Sequence, residues 1–174
     1  IALLNVESGN ILKNITIEPD SGGMGYFYAI SNAQYIQEDN ALYLMMMDGR
    51  LIRIHADNLE VEYIRNYSAT NNLLVTTNGD YLVLYQYYPY NDYFSKFKVD
   101  RQMVSKEMLI IDAASGDLVS KLAGHYDVII SASFSAGDRY LINSGVDNTI
   151  RFWDIQDAKE VATLFLLGST DLAV

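Results

Sequence analysis

Residues 124–154 (GHYDVIISASFSAGDRYLINSGVDNTIRFWD) constrain this chain more than any other stretch. A Gly-His pair opens it and a Trp-Asp pair closes it. Between them lie three short runs, 128–134, 140–144 and 149–154, separated by turns at Gly137-Asp138 and at 145–148. Runs of β-branched and aromatic residues that alternate apolar with polar and end in Gly, Asp or Asn read as strands joined by tight turns. Connections this short make the three strands consecutive antiparallel neighbours in one sheet.

With Gly124-His125 at one end and Trp153-Asp154 at the other, the stretch resembles one repeat of the WD-repeat β-propeller family. That resemblance implies an all-β fold: a β-propeller of four-stranded antiparallel blades. It also implies a buried hydrogen-bond chain of His125, Ser144, Asp147 and Trp153, tying the turn before a blade to its second and third strands. The residue types suit that task. Trp offers a large apolar body and one donor, and neutral His one donor and one acceptor. A Ser hydroxyl can bridge them, and Asp can fix the His tautomer. Such a network specifies one geometry when every member is satisfied and is costly when broken. His125, Ser144 and Asp147 are also the residue types of a hydrolase triad, but their spacing belongs to the structural pattern. Asp147 and Asp154 are expected as turn and strand-end residues rather than metal ligands.

The same grammar runs through the rest of the chain. Residues 2–6 and 11–17 read as two strands around Glu7-Ser8-Gly9-Asn10, the second half of a blade. Strands are expected at 26–31, 41–47, 50–55 and 59–65, then at 72–77, 81–88, 107–112 and 118–122, and a last outer strand at 160–167. Aligned on the position of Asp154, repeat ends fall at Asn5, His55, Asp112 and Asp154, with separations of 50, 57 and 42. These lie around the family period of about 40–45 residues. The chain thus divides into a half blade (1–17), blades at about 26–66, 72–123 and 128–167, and the start of another at 168–174. That makes about three and a half blades of one partial propeller. Fourteen strands cannot close a ring of four-stranded blades, so the remaining blades are expected from the parent chain or from another copy. The opening residue, Ile1 rather than Met, agrees with a segment of a longer protein.

Composition narrows the function. With 12 Lys and Arg against 22 Asp and Glu, the formal charge is −10, which repels a phosphate backbone; no nucleic-acid partner is expected. There is no cysteine, hence no thiolate metal site or cysteine nucleophile in the segment. No apolar run reaches the length of a membrane span and no signal peptide is visible, so no membrane partner and a cytoplasmic location are expected. The glycines of 18–25 (EPDSGGMG) lack the Lys-Ser/Thr of a phosphate-binding loop. Met45, Met46 and Met47 cannot converge on one ion, because neighbours in a strand face opposite ways. No cofactor and no metal are expected.

One stretch departs from the repeat. Residues 89–106 (PYNDYFSKFKVDRQMVSK) are inserted between the second and third strands of their blade, a connection on the face that propellers most often use for partners. Around it cluster Tyr87, Tyr88, Tyr90, Tyr93, Phe94 and Phe97, with Lys96, Lys98 and Arg101. Tyr and Arg are enriched at interface hot spots, so these residues are the candidate partner-binding set. The competing reading packs the aromatics back onto their own blade. Two functions follow. The first is a non-catalytic protein-interaction scaffold within a larger intracellular protein. The second is a regulatory or sensor segment of a multidomain enzyme whose catalytic domain lies elsewhere. For the second, the ending VATLFLLGSTDLAV resembles the last blades of bacterial WD-repeat proteins joined to caspase-like peptidase domains.

Overall fold

The computed structural model describes residues 2–4, 7–17, 29–87 and 104–166. Among the described residues the regular structure is fourteen strands and no helix. β1 (Ala2–Leu4) and β2 (Ile11–Asn14) form a two-stranded sheet. Three four-stranded antiparallel sheets follow, each with its strands in chain order. The first holds β3 (Ile30–Ile36), β4 (Ala41–Met46), β5 (Arg50–His55) and β6 (Val61–Asn66). The second holds β7 (Asn72–Val75), β8 (Tyr81–Tyr85), β9 (Glu107–Asp112) and β10 (Leu118–Ala123). The third holds β11 (Ile129–Phe134), β12 (Tyr140–Gly145), β13 (Thr149–Asp154) and β14 (Lys159–Phe165).

The first strand of the first sheet lies later than the expected 26–31. β3 begins at Ile30 and continues to Ile36, paired from Ile30↔Met46 to Ile36↔Ala41. The reason is the hairpin. Asn40 takes a φ of +45°, its N–H donates to Gln37 O at 3.2 Å, and the turn forces the residues just before it to pair with β4. Mostly exposed, β3 needs no apolar alternation, so the more apolar segment upstream was the wrong guide. Residues 26–28 lie outside the described residues.

The sheets stack face to face, and their contacts form the core. Tyr43, Met45, Leu51 and Tyr63 of the first sheet meet Leu73, Leu82, Leu84 and Ile111 of the second. Val83, Tyr85, Met108 and Ile110 of the second meet Ile129, Leu141, Trp153 and Ile155 of the third. Strand periodicity makes this possible: along β8, Leu82 and Leu84 point one way and Val83 and Tyr85 the other, so a central sheet is apolar on both faces. β4 does the same, with Met46 and Leu44 facing Ile15 and Ile17 after β2. Met45 and Met46 are therefore buried in different interfaces. Each fully buried Leu, Ile or Met contributes about 1.5–3 kcal/mol.

Polar bonds fix how the sheets sit on one another. The hydroxyl of Tyr63 donates to Ala113 O at 3.0 Å, and that of Tyr67 to Gly116 O at 2.5 Å. Arg65 donates to Ser115 O at 2.8 Å. Between the second and third sheets, the amide and hydroxyl of Thr77 both donate to Asp138.

Candidate functional site

Register places the β8–β9 connection and the β12–β13 turn on one edge of the stack. In the second sheet Asn72 pairs with Tyr85 and Tyr85 with Met108, so the start of β7, the end of β8 and the start of β9 share an edge. In the third, Ile129 pairs with Gly145 and Ser144 with Ile150, which puts the 146–148 turn on the corresponding edge. Residues 124–128 link the two sheets there, and they carry His125 and Tyr126.

His125 is buried and bonded on both ring nitrogens. Nδ1 stands 2.9 Å from Asp147 Oδ2, and Nε2 stands 3.0 Å from Asn143 Oδ1. The indole N–H of Trp153 donates to the same Asn143 oxygen at 3.1 Å. Since that oxygen can only accept, Nε2 is the donor in that bond, and the carboxylate facing Nδ1 is likewise only an acceptor. Thr149 completes the cluster, its hydroxyl donating to Asp147 Oδ1 at 2.7 Å. Burial works against the charge on Asp147, but the Thr149 hydroxyl, the Tyr126 amide and the His125 ring outweigh it and hold its carboxyl below the usual range.

His125, Asp147 and Trp153 therefore meet, but through Asn143 and not through Ser144. Cross-strand pairs share a face, and Asn143 pairs with Arg151, on the face that carries Trp153. Ser144, one residue on, lies on the opposite face, paired with Ile150 and Ser131. The group on His125 Nε2 is thus an amide, which cannot act as a nucleophile. Thr149 and Gly145 were also missed from sequence. A Cβ at Gly145 would lie 2.5 Å from His125 Nδ1, so only glycine admits the ring.

Outward from this cluster, Tyr126 is 80% exposed. Its backbone N–H donates to Asp147 Oδ2 at 2.9 Å, and the Arg151 guanidinium lies 5.7 Å from its ring centre. Arg151 is held in turn by Glu160 at 2.7 Å. The backbone beneath the exposed ring is thus fixed by a buried network, and the Arg151 guanidinium lies beside the ring. On the second sheet, Tyr87 is half-exposed, and Asn71 anchors it by accepting from the Tyr87 N–H at 2.6 Å and donating to Tyr87 O at 2.8 Å. At the other end of the insertion Val104 is buried and the Ser105 amide donates to Gln86 Oε1 at 2.5 Å. Tyr88, Tyr90, Tyr93, Phe94, Lys96, Phe97, Lys98 and Arg101 lie outside the described residues, as does loop 18–25.

The opposite edge is acidic. An open groove of about 260 Å³ there is lined by Glu38, Asp39, Asp80 and Asp112, with Asn78 and Tyr81. Among the described residues no three His, Cys, Asp or Glu side chains converge as a metal site would require. Asp154 instead accepts from the Gln156 amide at 3.1 Å and from Arg139 at 3.2 Å, a strand-end role.

No family model matches the sequence, and no curated protein matches it. Solved structures do resemble the fold. The structure of U3-55K aligns with 85% of this chain at a TM-score of 0.63 and 20% identity, and the RRP9 WD40 repeats align equally well. The chain spans only about two fifths of them, 42% and 41% of their lengths. At this identity the likeness establishes the fold alone: a β-propeller, of which about three blades are present.

Proposed function

We propose that this chain is the platform part of a larger intracellular protein, a non-catalytic scaffold that presents its connection-bearing edge to a protein partner. The carrying observation is Tyr126, an exposed aromatic whose backbone N–H is held by Asp147 and whose ring has Arg151 beside it. A Tyr offers a large contact area with only two side-chain torsions to order, and here its backbone is already held. Tyr87, on the same edge, leads into the insertion, where the aromatic and basic residues fit a partner surface that is apolar and acidic at its rim.

The test replaces residues 90–102 by a short Gly-Ser linker, sparing Val104 and Ser105, and separately makes Tyr126→Ala. A partner recovered with the unaltered protein is then titrated against each variant by calorimetry. Affinity should fall at least about tenfold in one or both, a loss of about 1.4 kcal/mol. Unchanged Kd in both variants, with unfolding midpoints intact, removes this edge as the recognition surface.

A further inference from the structure

The third sheet ends on β14, which pairs with β13 on one side and, among the described residues, with no strand on the other. A free strand edge offers unpaired N–H and C=O groups to any extended chain, and proteins commonly guard it with charge. The other outer strands carry that guard: Lys13 in β2, Glu62 and Arg65 in β6, Lys121 in β10. β14 has Lys159 and Glu160 only at its start, and Glu160 is already bonded to Arg151. From Val161 to Leu166 the sequence is VATLFL, with no charge, proline or glycine.

The far end of β14 departs from its counterparts in a second way. Register sets Asn66 opposite Arg50, Ala123 opposite Glu107 and Phe165 opposite Thr149, so three outer strands reach the connection-bearing edge on equivalent residues. Two of these are polar or small. The third is a phenylalanine, 69% exposed. Cross-strand partners share a face, so Phe165 stands on the side of Thr149 and Arg151, which is turned toward the second sheet. That sheet is in place and still leaves the ring in solvent. Leu166, the next residue, is 58% exposed.

We propose that the free edge of β14 is a docking site for an extended, uncharged apolar segment of a partner protein, which joins the third sheet as a fifth strand with Phe165 as its anchor. Main-chain bonds supply the affinity, and the alternate side chains of β14 supply the specificity. Charge decides between occupants. A second copy of the chain brings another formal −10, which opposes its approach. A charged segment gains nothing from an edge that has no charge to pair with it. The site rests on β14 alone, and neither Tyr126 nor the insertion enters it.

The probe is a fluorescein-labelled, amidated peptide, Ser-Thr-Val-Thr-Ile-Thr-Val-Ser, titrated by anisotropy into the natural polypeptide. In its control the two central threonines are proline, which keeps the apolar side chains and forbids the strand. The first peptide should saturate with a Kd below about 100 μM and the control should bind at least about tenfold more weakly. Phe165→Ala and Val161→Lys should each weaken binding at least about tenfold. Val119→Lys, at a comparably exposed valine of β10, should change it less than about twofold. No saturable binding, equal binding of the proline peptide, or binding unchanged by both β14 variants overturns the proposal. So does sedimentation that shows the unliganded protein as a dimer dissociated by Val161→Lys, which assigns the edge to a second copy.

Discussion

His125 and Trp153 donate to one oxygen, Asn143 Oδ1, from 3.0 and 3.1 Å. The amide nitrogen of the same residue lies 2.9 Å from Met108 Sδ on the second sheet. One side chain thus joins the linker, β12, β13 and the neighbouring sheet. Ser144 cannot take this place because it lies on the opposite face of the sheet, paired with Ser131 and Ile150.

Removing that amide leaves two buried donors without a partner, at about 1–3 kcal/mol each. Asn143→Leu should therefore lower stability by about 2–5 kcal/mol in urea unfolding, with an unchanged slope. Ser144→Ala, on the other face, should cost less than about 0.5 kcal/mol. If the two costs were reversed, the network would run through the serine after all.

Trp153 is buried to 97% and contributes both area and a donor. Trp153→Ala should cost about 3–5 kcal/mol through the cavity it leaves. Trp153→Phe keeps most of the apolar body and loses the N–H, which separates the two contributions. A measured loss under about 1 kcal/mol for the alanine variant would mean that the cluster is not formed in solution.

Much of this was legible because turns and strand alternation are written locally. The strands at Arg50–His55, Glu107–Asp112 and Thr149–Asp154 have the limits that their flanking Asp, Gly and Asn residues indicate. What failed was parity and pairing. Choosing Ser144 over Asn143 is a one-residue error, and in a strand one residue exchanges the faces. Counting alternate positions from Trp153 across to Leu141 and then Asn143 would have found it. β3 was misplaced because its position is set by β4 and a positive-φ Asn40 rather than by its own hydrophobicity. The Tyr63 and Tyr67 links could not be read at all, since their acceptors are backbone carbonyls, which carry no sequence signature.

Acid should act on the same cluster. Asp147 has its folded-state pKa held below the unfolded value, so its contribution is present above about pH 4 and is lost as pH falls through the lower, folded value. Asp147→Asn removes that contribution. The stability gap between wild type and variant, measured in urea at intervals from pH 7 downward, should be constant to about pH 4 and then narrow. A gap that widens on acidification contradicts the assigned ionised carboxylate.

The last test concerns space. Gly145 has no positive φ, so alanine there meets no backbone strain; it meets His125 Nδ1 at 2.5 Å and Asp147 Oδ1 at 2.8 Å. Gly137 is the reverse case, with φ +76° and nothing within 4 Å of a built Cβ. Gly137→Ala should cost about 1–2 kcal/mol from left-handed backbone alone. Gly145→Ala should cost about 1–3 kcal/mol by overpacking, because His125 must leave Asp147 to make room. That displacement gives a sharper readout than the cost itself. Once the ring has moved, Asp147→Asn has little of the His125 contact left to remove. The double variant should then be more stable than the two single losses imply, by at least about 0.5 kcal/mol. Strict additivity would show that glycine at 145 is not what lets the ring reach its carboxylate.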